Sequence, residues 1–229
     1  MRWRRREDGD HQPWVVFGDI MLGALFAFVL FIFVVFLDYN QVEMRNELTK
    51  RKHELMELFQ ESLPDRYADS VTVEFGAAFR QPITFTGDVL FDPCQDALKP
   101  AGDTLVAIVG RLLADRSHYF ESIEIEGHTD LRPPPGGSNC RFKDNWELSS
   151  RRAATVVRIM TQKSELQPEG LSAVGRAEFH NLSDPTSRPL PAEPAFNEFT
   201  LLDRRIEIVL QYSEKDIVDY LGRTREAGL

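Results

Sequence analysis

The chain contains 229 residues, of which 28% are charged, and it carries a formal net charge of -9. This acidic balance argues against a general nucleic-acid binder, because such proteins need clustered lysine and arginine to displace counterions from phosphates. The two cysteines are too few for a structural zinc site, and none of the five histidines lies at ligand spacing from another. We therefore expect no metal and no cofactor.

The first predicted element is an apolar run at residues 14–37, WVVFGDIMLGALFAFVLFIFVVFL. As a helix it would be about 36 Å long, enough to cross a hydrocarbon core of roughly 30 Å. No small-x-small cleavage site follows, so we expect a retained transmembrane anchor. Lysine and arginine are balanced on its two sides. Because large domains translocate largely regardless of charge, we expect residues 1–13 to be a cytoplasmic tail.

One carboxylate, Asp19, lies inside this run. An ionised Asp within lipid costs about 2.5 to 3.5 kcal/mol, so it should face protein or water, and such residues often mark ion paths. Gly23 and Ala27 continue its face of the helix and would let partner helices approach. The alternative is a plain anchor whose Asp19 reaches the cytoplasmic interface. No Ser or Thr occurs between Val15 and Leu37, which favours H⁺ over Na⁺ as the ion carried.

Residues 38–63 are rich in helix formers and end before Pro64, so we predict a helical stalk. Its apolar positions fall near helical spacing but are interrupted at Arg51, and they last barely three heptads. Two interpretations therefore remain for the stalk, a short dimer contact and a solvated spacer.

Residues 64–229 are predicted to form one α+β domain with helices packed on one sheet. Periodicity predicts strands at 71–75, 83–91, 122–127, 171–177 and 204–212, and helices at 97–115, 145–163 and 213–223. Two proline-rich loops, 131–144 and 183–198, should be irregular. Cys94 and Cys140 would form a disulfide in an oxidising compartment; the alternative is two unlinked thiols.

Three motifs in this domain carry a family resemblance: GHTD at 127–130, NWELSSRRA at 145–153 and DRRIEIVL at 203–210. In that order they resemble the OmpA-like peptidoglycan-binding domain, with a βαβαββ fold, over about residues 83–212. Together with the span containing WVVFGDIM, the layout is similar to MotB, the peptidoglycan-anchored subunit of ion-driven stators. Asp19 falls where that family keeps its ion-carrying aspartate.

The resemblance also implies a binding site for diaminopimelate, the residue of peptidoglycan stem peptides whose free end is zwitterionic. Asp130 would take the ammonium group, and Arg152 would hold the carboxylate through its planar guanidinium. Asn145 and Leu148 would shape the pocket around the helix start. Without the family, Asp130 and Arg152 could simply form a surface ion pair, worth about 0 to 1 kcal/mol.

The partners implied are a MotA-like membrane subunit, five copies to two of this chain, a second copy as homodimer, and peptidoglycan. The protein would lie in the bacterial inner membrane with a periplasmic C-terminal domain.

No G-x-S-x-G, P-loop or activated cysteine is present, so we expect no enzyme. The PPPGGSNC loop, the short chain and the brief stalk depart from flagellar MotB. Similar short proteins with the same layout form the B subunit of Zorya anti-phage defence motors. A flagellar stator subunit and a passive tether of an envelope or secretion complex remain the alternatives.

Overall fold

The computed structural model describes residues 13–136, 140–179 and 203–226. The predicted cytoplasmic tail up to residue 12 and the predicted loop at 183–198 lie outside the described residues. The chain divides into two compact units, Met1–Asn46 and Glu47–Leu229.

The first unit contains most of helix α1, which covers Pro13–Ser62. Among the described residues this is one helix long and apolar enough to cross a membrane, with a mean hydropathy of 3.1 in its most apolar window. Its large apolar side chains are exposed along residues 17–37. A Cβ added at Gly23, one turn from Asp19, would meet no atom within 4 Å.

The last part of α1 belongs to the second unit and packs into its core. Leu55 and Phe59 are 1% and 2% exposed and belong to the main hydrophobic cluster. Leu63 follows the helix end and its N–H donates to the Phe59 carbonyl, just before Pro64. Residues 47–62 are therefore not a solvated spacer. The compact unit begins at Glu47, well before the boundary that Pro64 suggested.

The second unit is built on one five-stranded sheet in the order β1-β2-β5-β3-β4. The strands are β1 (Val71–Val73), β2 (Arg80–Thr86), β3 (Phe120–His128), β4 (Leu171–Ala177) and β5 (Arg205–Tyr212). Among the described strands, only β3 and β4 pair in parallel; β1 with β2, β2 with β5, and β3 with β5 are antiparallel. The parallel pair is connected through a helix, as a parallel crossover requires.

The described residues of this unit also form four further α-helices and three short 3₁₀ turns. The helices are α2 (Gly87–Leu90), α3 (Pro100–Ala114), α4 (Asn145–Lys163) and α5 (Glu214–Glu226), and the turns are Asp65–Ser70, Ser117–Tyr119 and Pro168–Gly170. The mixed α+β prediction is thus confirmed, and α4 and β4 have the predicted bounds.

One predicted strand is wrong in its second half. Residues 83–91 were expected as a single strand, but β2 ends at Thr86 and Gly87–Leu90 form the short helix α2. The Gly87 N–H donates to the Arg204 carbonyl at 2.6 Å, and a Cβ on Gly87 would lie 2.6 Å from that same oxygen. Only glycine allows this close approach of two backbones, which turns the chain away from the sheet.

The hydrophobic core lies between one face of the sheet and the helices. Every second residue of the central strands points to it, including Ile125, Ile206 and Ile208, which meet Leu105 of α3 and Val156 of α4. Burying a side chain of this size contributes roughly 1.5 to 3 kcal/mol. The opposite face of the sheet carries charged residues, so the two faces are chemically distinct.

Candidate functional site

A cavity of about 300 Å³ opens where β3 ends and α4 begins. All four residues predicted for ligand binding line it, namely Asp130, Asn145, Leu148 and Arg152. The rest of the wall includes Gly87 and Asp88 of α2, Cys94, Thr129, Arg132 and Arg204. Motifs separated by many residues in sequence therefore meet in one place.

Asp130 is buried at the end of β3 and bound by two arginines. Its Oδ2 accepts from Arg132 Nη2 at 2.8 Å and from Arg204 Nε at 2.7 Å, and its Oδ1 accepts from the Arg132 backbone N–H at 3.1 Å. Among the described residues no ion pair joins Asp130 to Arg152. The simple surface pair between these two residues is therefore not what the structure forms.

Asn145 fixes the loop after β3 to the start of α4. Its Nδ2 donates to the carbonyls of Asp130 and Arg132, both at 3.1 Å. Helix α4 starts here because the Asp144 side chain accepts from the Glu147 N–H at 2.8 Å and so caps the helix. Asn145 thus acts by holding Asp130 in place.

Arg152 is buried one turn beyond Leu148 on α4. Its Nε donates to the Gln95 carbonyl at 2.9 Å and its Nη2 to the Asp92 carbonyl at 3.1 Å, and the guanidinium lies over the Phe91 ring. Burial, followed by the charge of Arg204, lowers the pKa of Arg152 to about 10, so it stays cationic at neutral pH. Among the described residues these two bonds use the Nε–Nη2 edge of Arg152, so Nη1 and the second Nη2 hydrogen remain for a ligand.

The sequence reasoning missed Arg132, Arg204 and Thr129. Arg204 belongs to the DRRIEIVL motif and Thr129 to GHTD, so a motif-based signal existed for both, whereas Arg132 lies in the irregular loop. Thr129 Oγ1 is buried in the cavity wall without a hydrogen-bond partner among the described residues. The cavity wall therefore contains three guanidiniums and two carboxylates, namely Arg132, Arg152, Arg204, Asp88 and Asp130. This excess of positive charge suits a ligand with a carboxylate and at least one hydrogen-bonding group.

A disulfide joins Cys94 to Cys140, with their Cα atoms 5.5 Å apart. Phe142 and Leu148 pack around it in a small cluster separate from the main core. Arg141 Nη2 also binds Asp96 Oδ2 at 2.6 Å, so two links connect the same pair of loops. Both links lie at the edge of the cavity.

A second cluster of potential ligand atoms, Glu126, His128 and Glu207, lies on the other face of the sheet. Arg176 Nε binds Glu126 Oε2 at 2.9 Å and Arg205 Nε binds Glu207 Oε1 at 2.5 Å. Burial favours a raised pKa for Glu126, but hydrogen bonds from His128 and Arg176 outweigh it and hold the pKa well below its ordinary value. The cluster is an ion-pair network whose carboxylates are already neutralised by arginine.

Comparison with known proteins shows the same domain type. Residues 90–190 match the OmpA family. A MotB-like protein from Desulfovibrio vulgaris has a similar structure, with 27% identity and a TM-score of 0.60 over 73% of this chain and 98% of that one. YtxE of Bacillus subtilis strain 168 is 32% identical over 126 residues, 55% of this chain. The match spans about half of that relative's length, 46%.

Two further structures share the fold. The periplasmic domain of Helicobacter pylori MotB has a TM-score of 0.53 at 18% identity, covering 71% of this chain and 92% of that domain. The cell wall anchor of the type VI secretion system from Pseudomonas aeruginosa has a TM-score of 0.54 at 24% identity, covering 69% and 97%. The chain thus carries an OmpA-like domain with structural similarity to MotB periplasmic domains.

Proposed function

We propose that this chain, which joins an apolar N-terminal helix to an OmpA-like domain, is the peptidoglycan-anchored B subunit of a proton-driven, MotB-like stator. It would lie in the bacterial inner membrane with its C-terminal domain in the periplasm. The observation that carries the proposal is the cavity in which Asp130, Asn145, Leu148 and Arg152 converge. This arrangement offers an anion and cations at fixed separation, as a zwitterionic ligand requires.

Diaminopimelate would bind by exchanging ion pairs with the cavity wall. Its ammonium would approach Asp130, whose carboxylate now accepts from Arg132 and Arg204. Its carboxylate would bind the free edge of Arg152 together with an arginine released from Asp130. Thr129 Oγ1, buried in the same wall, would supply a further hydrogen bond. The site holds its ligand without bond cleavage, in keeping with a non-enzymatic anchor.

Binding is tested with the full chain in detergent and diaminopimelate-type peptidoglycan in a pulldown. Asp130→Ala and Arg152→Ala should each weaken binding by about 2 kcal/mol or more. Asp130→Ala removes the carboxylate that would pair with the ligand ammonium, and Arg152→Ala removes a buried cation that would bind the ligand carboxylate. Arg151→Ala, on the exposed face of the same helix, is the matched control and should bind like the wild type. Retained binding in both cavity variants, with the fold intact by circular dichroism, would contradict the site assignment.

The stator role rests on Asp19 within the apolar part of α1. One helix cannot enclose an ion path, so MotA-like helices would complete it, in a complex of five such subunits with two of this chain. Asp19 would accept protons from the periplasm and release them to the cytoplasm. Each proton that crosses 100 mV delivers about 2.3 kcal/mol, which would drive rotation of the partner ring around a wall-fixed dimer.

The disulfide supports the proposed orientation. Structural disulfides persist in oxidising compartments such as the periplasm and are rare in the reducing cytosol. The Cys94–Cys140 link therefore favours a periplasmic domain and a cytoplasmic N-terminus.

Proton conduction is tested in cells that express the chain with its MotA-like partner. Asp19→Asn should abolish proton flux, because the amide keeps the size of the side chain but cannot take up a proton. Asp38→Asn, at the end of the apolar run, is the matched control and should conduct normally. Unchanged flux in Asp19→Asn would rule out the motor and leave the tether.

The second candidate function, a passive tether, is favoured by one observation. The cell wall anchor of the type VI secretion system from P. aeruginosa shares this fold, so the fold alone does not distinguish a motor subunit from an anchor. For the motor's biological output we favour Zorya-type anti-phage defence over flagellar rotation, because of the proline-rich loop after Asp130 and the short stalk. A neighbouring MotA-like gene beside a helicase or nuclease gene would support defence, and flagellar neighbours would support motility.

A further inference from the structure

The segment that holds Arg152 is a short irregular loop, residues 92–96, which we call the cradle loop. The carbonyls of Asp92 and Gln95 accept from Arg152 Nη2 and Nε at 3.1 and 2.9 Å. The Gln95 N–H donates to the Asp92 carbonyl, which closes the loop into a turn. The guanidinium position is therefore set by the backbone of this loop, which has no helix or strand of its own.

Cys94 lies between the two carbonyls that hold Arg152. Its φ is 54°, in the left-handed region that non-glycine residues rarely adopt. The disulfide to Cys140 joins this strained position to the loop before α4. The parallel link, Arg141 to Asp96, is a weaker restraint because the Arg141 side chain is 71% exposed and its ion pair is screened by water.

We propose that the Cys94–Cys140 disulfide positions Arg152 for ligand binding, so that stem-peptide binding depends on the oxidation state of this pair. The inference rests on the proposed function of the cavity. When the disulfide is intact, the carbonyls of Asp92 and Gln95 hold the Arg152 guanidinium. The free edge of Arg152 is then available to a ligand in the cavity. Without it, Cys94 can leave its left-handed conformation, the carbonyls move, and the buried Arg152 turns toward other acceptors such as Asp88 or Asp130.

Reduction has a defined chemistry and a local effect. A thiolate of a small dithiol attacks Cys94 Sγ, which lines the cavity, and Cys140 leaves as a thiolate that takes up a proton. The second thiol of the dithiol then displaces Cys94, so the protein gains two electrons and two protons and the dithiol becomes a cyclic disulfide. The half-cystines pack with Phe142 and Leu148, outside the main core, so the sheet stays folded.

The experiment measures binding of a soluble diaminopimelate stem peptide to the full chain in detergent, with and without dithiothreitol. A second peptide has the free-end carboxylate of diaminopimelate replaced by a carboxamide. Reduction should weaken binding of the acid peptide by about tenfold and change binding of the amide by less than about twofold, because Arg152 acts on the carboxylate. A merely structural disulfide would weaken both peptides equally.

Two variants complete the test. The double variant Cys94→Ser, Cys140→Ser should bind the acid peptide as weakly as the reduced wild type does, and dithiothreitol should not change its affinity. Arg152→Ala should lose its sensitivity to reduction, because the residue being positioned is gone. Equal affinity of the oxidised and reduced wild type, with reduction verified by thiol titration and Arg152 still required, would overturn this inference alone. Failure of the oxidised wild type to bind either peptide would overturn the proposed function and this inference with it.

Discussion

Asp130 shows how the cavity wall stabilises a buried carboxylate. A buried carboxylate is costly unless it is paired, and Arg132 and Arg204 supply that pairing. The proposed ligand would therefore exchange one set of charge-assisted hydrogen bonds for another. Such an exchange would give modest net affinity and strong selectivity, because a ligand that lacked either charge would leave a buried arginine or carboxylate unsatisfied.

His128 is the residue from which we expect a pH dependence of stability. Burial lowers its pKa, with the charge of Arg205 acting in the same direction against Glu126 and Glu207, so the folded state binds fewer protons than the unfolded state. An unfolded histidine titrates near pH 6.5, so the contribution of His128 is complete above about pH 6.5 and is lost as the pH falls below it. The slope is at most about 1.4 kcal/mol per pH unit.

His128→Gln should therefore flatten the loss of stability between about pH 7.5 and pH 5.5. The measurement is the midpoint of urea unfolding of the domain at the two pH values, followed by circular dichroism. His118→Gln, at an exposed position, should keep the wild-type pH dependence. A His128→Gln variant as acid-sensitive as the wild type would show that another group is responsible.

Among the elements, the end of α1 differs most from its predicted role as a stalk. Arg51, which interrupted the apolar stripe in the sequence, binds Asp216 of α5 at 2.6 Å and lies over the Tyr119 ring. Lys52 is also buried and donates to the carbonyls of Ala78 and Arg80 at 2.6 and 3.0 Å, and burial lowers its pKa. These contacts make residues 47–62 a structural element of the domain.

Phe59→Ala should accordingly destabilise the domain by about 3 to 5 kcal/mol, because it leaves a cavity in the main core. Gln60→Ala, one residue further on the exposed face, should change stability by less than about 0.5 kcal/mol. Thermal or urea unfolding of the two variants is the comparison needed. Equal stability would mean that the helix end contributes nothing to the core.

The accuracy of the sequence predictions follows from how local each signal is. Helix α4 was predicted to its ends because its 3.6-residue apolar pattern is a local signal. The break after Thr86 was missed, since it depends on the backbone of Arg204 approaching Gly87. The same limit applies to the cavity. The motifs indicated Asp130 and Arg152, but their actual partners come from distant segments that only the tertiary fold brings close.

At the scale of the whole molecule, the predicted strands and helices were enough to predict an α+β domain. The hydrophobic periodicity does not predict the order of the strands in the sheet. Strand β5, the last in the described chain, lies between β2 and β3, and both of its neighbours are antiparallel to it. The pairing of Arg80 with Gln211 spans most of the domain sequence. Contacts this distant in sequence slow folding, because a long loop must close before they form.

The position of β5 has a consequence for how the cell makes this protein. Strands β2 and β3 have no shared neighbour until residues 205–212 have been synthesised, so the domain cannot complete its sheet piece by piece during synthesis. During that interval its unpaired strand edges are open to aggregation. A chain that stops before β5 should therefore keep both strand edges unpaired.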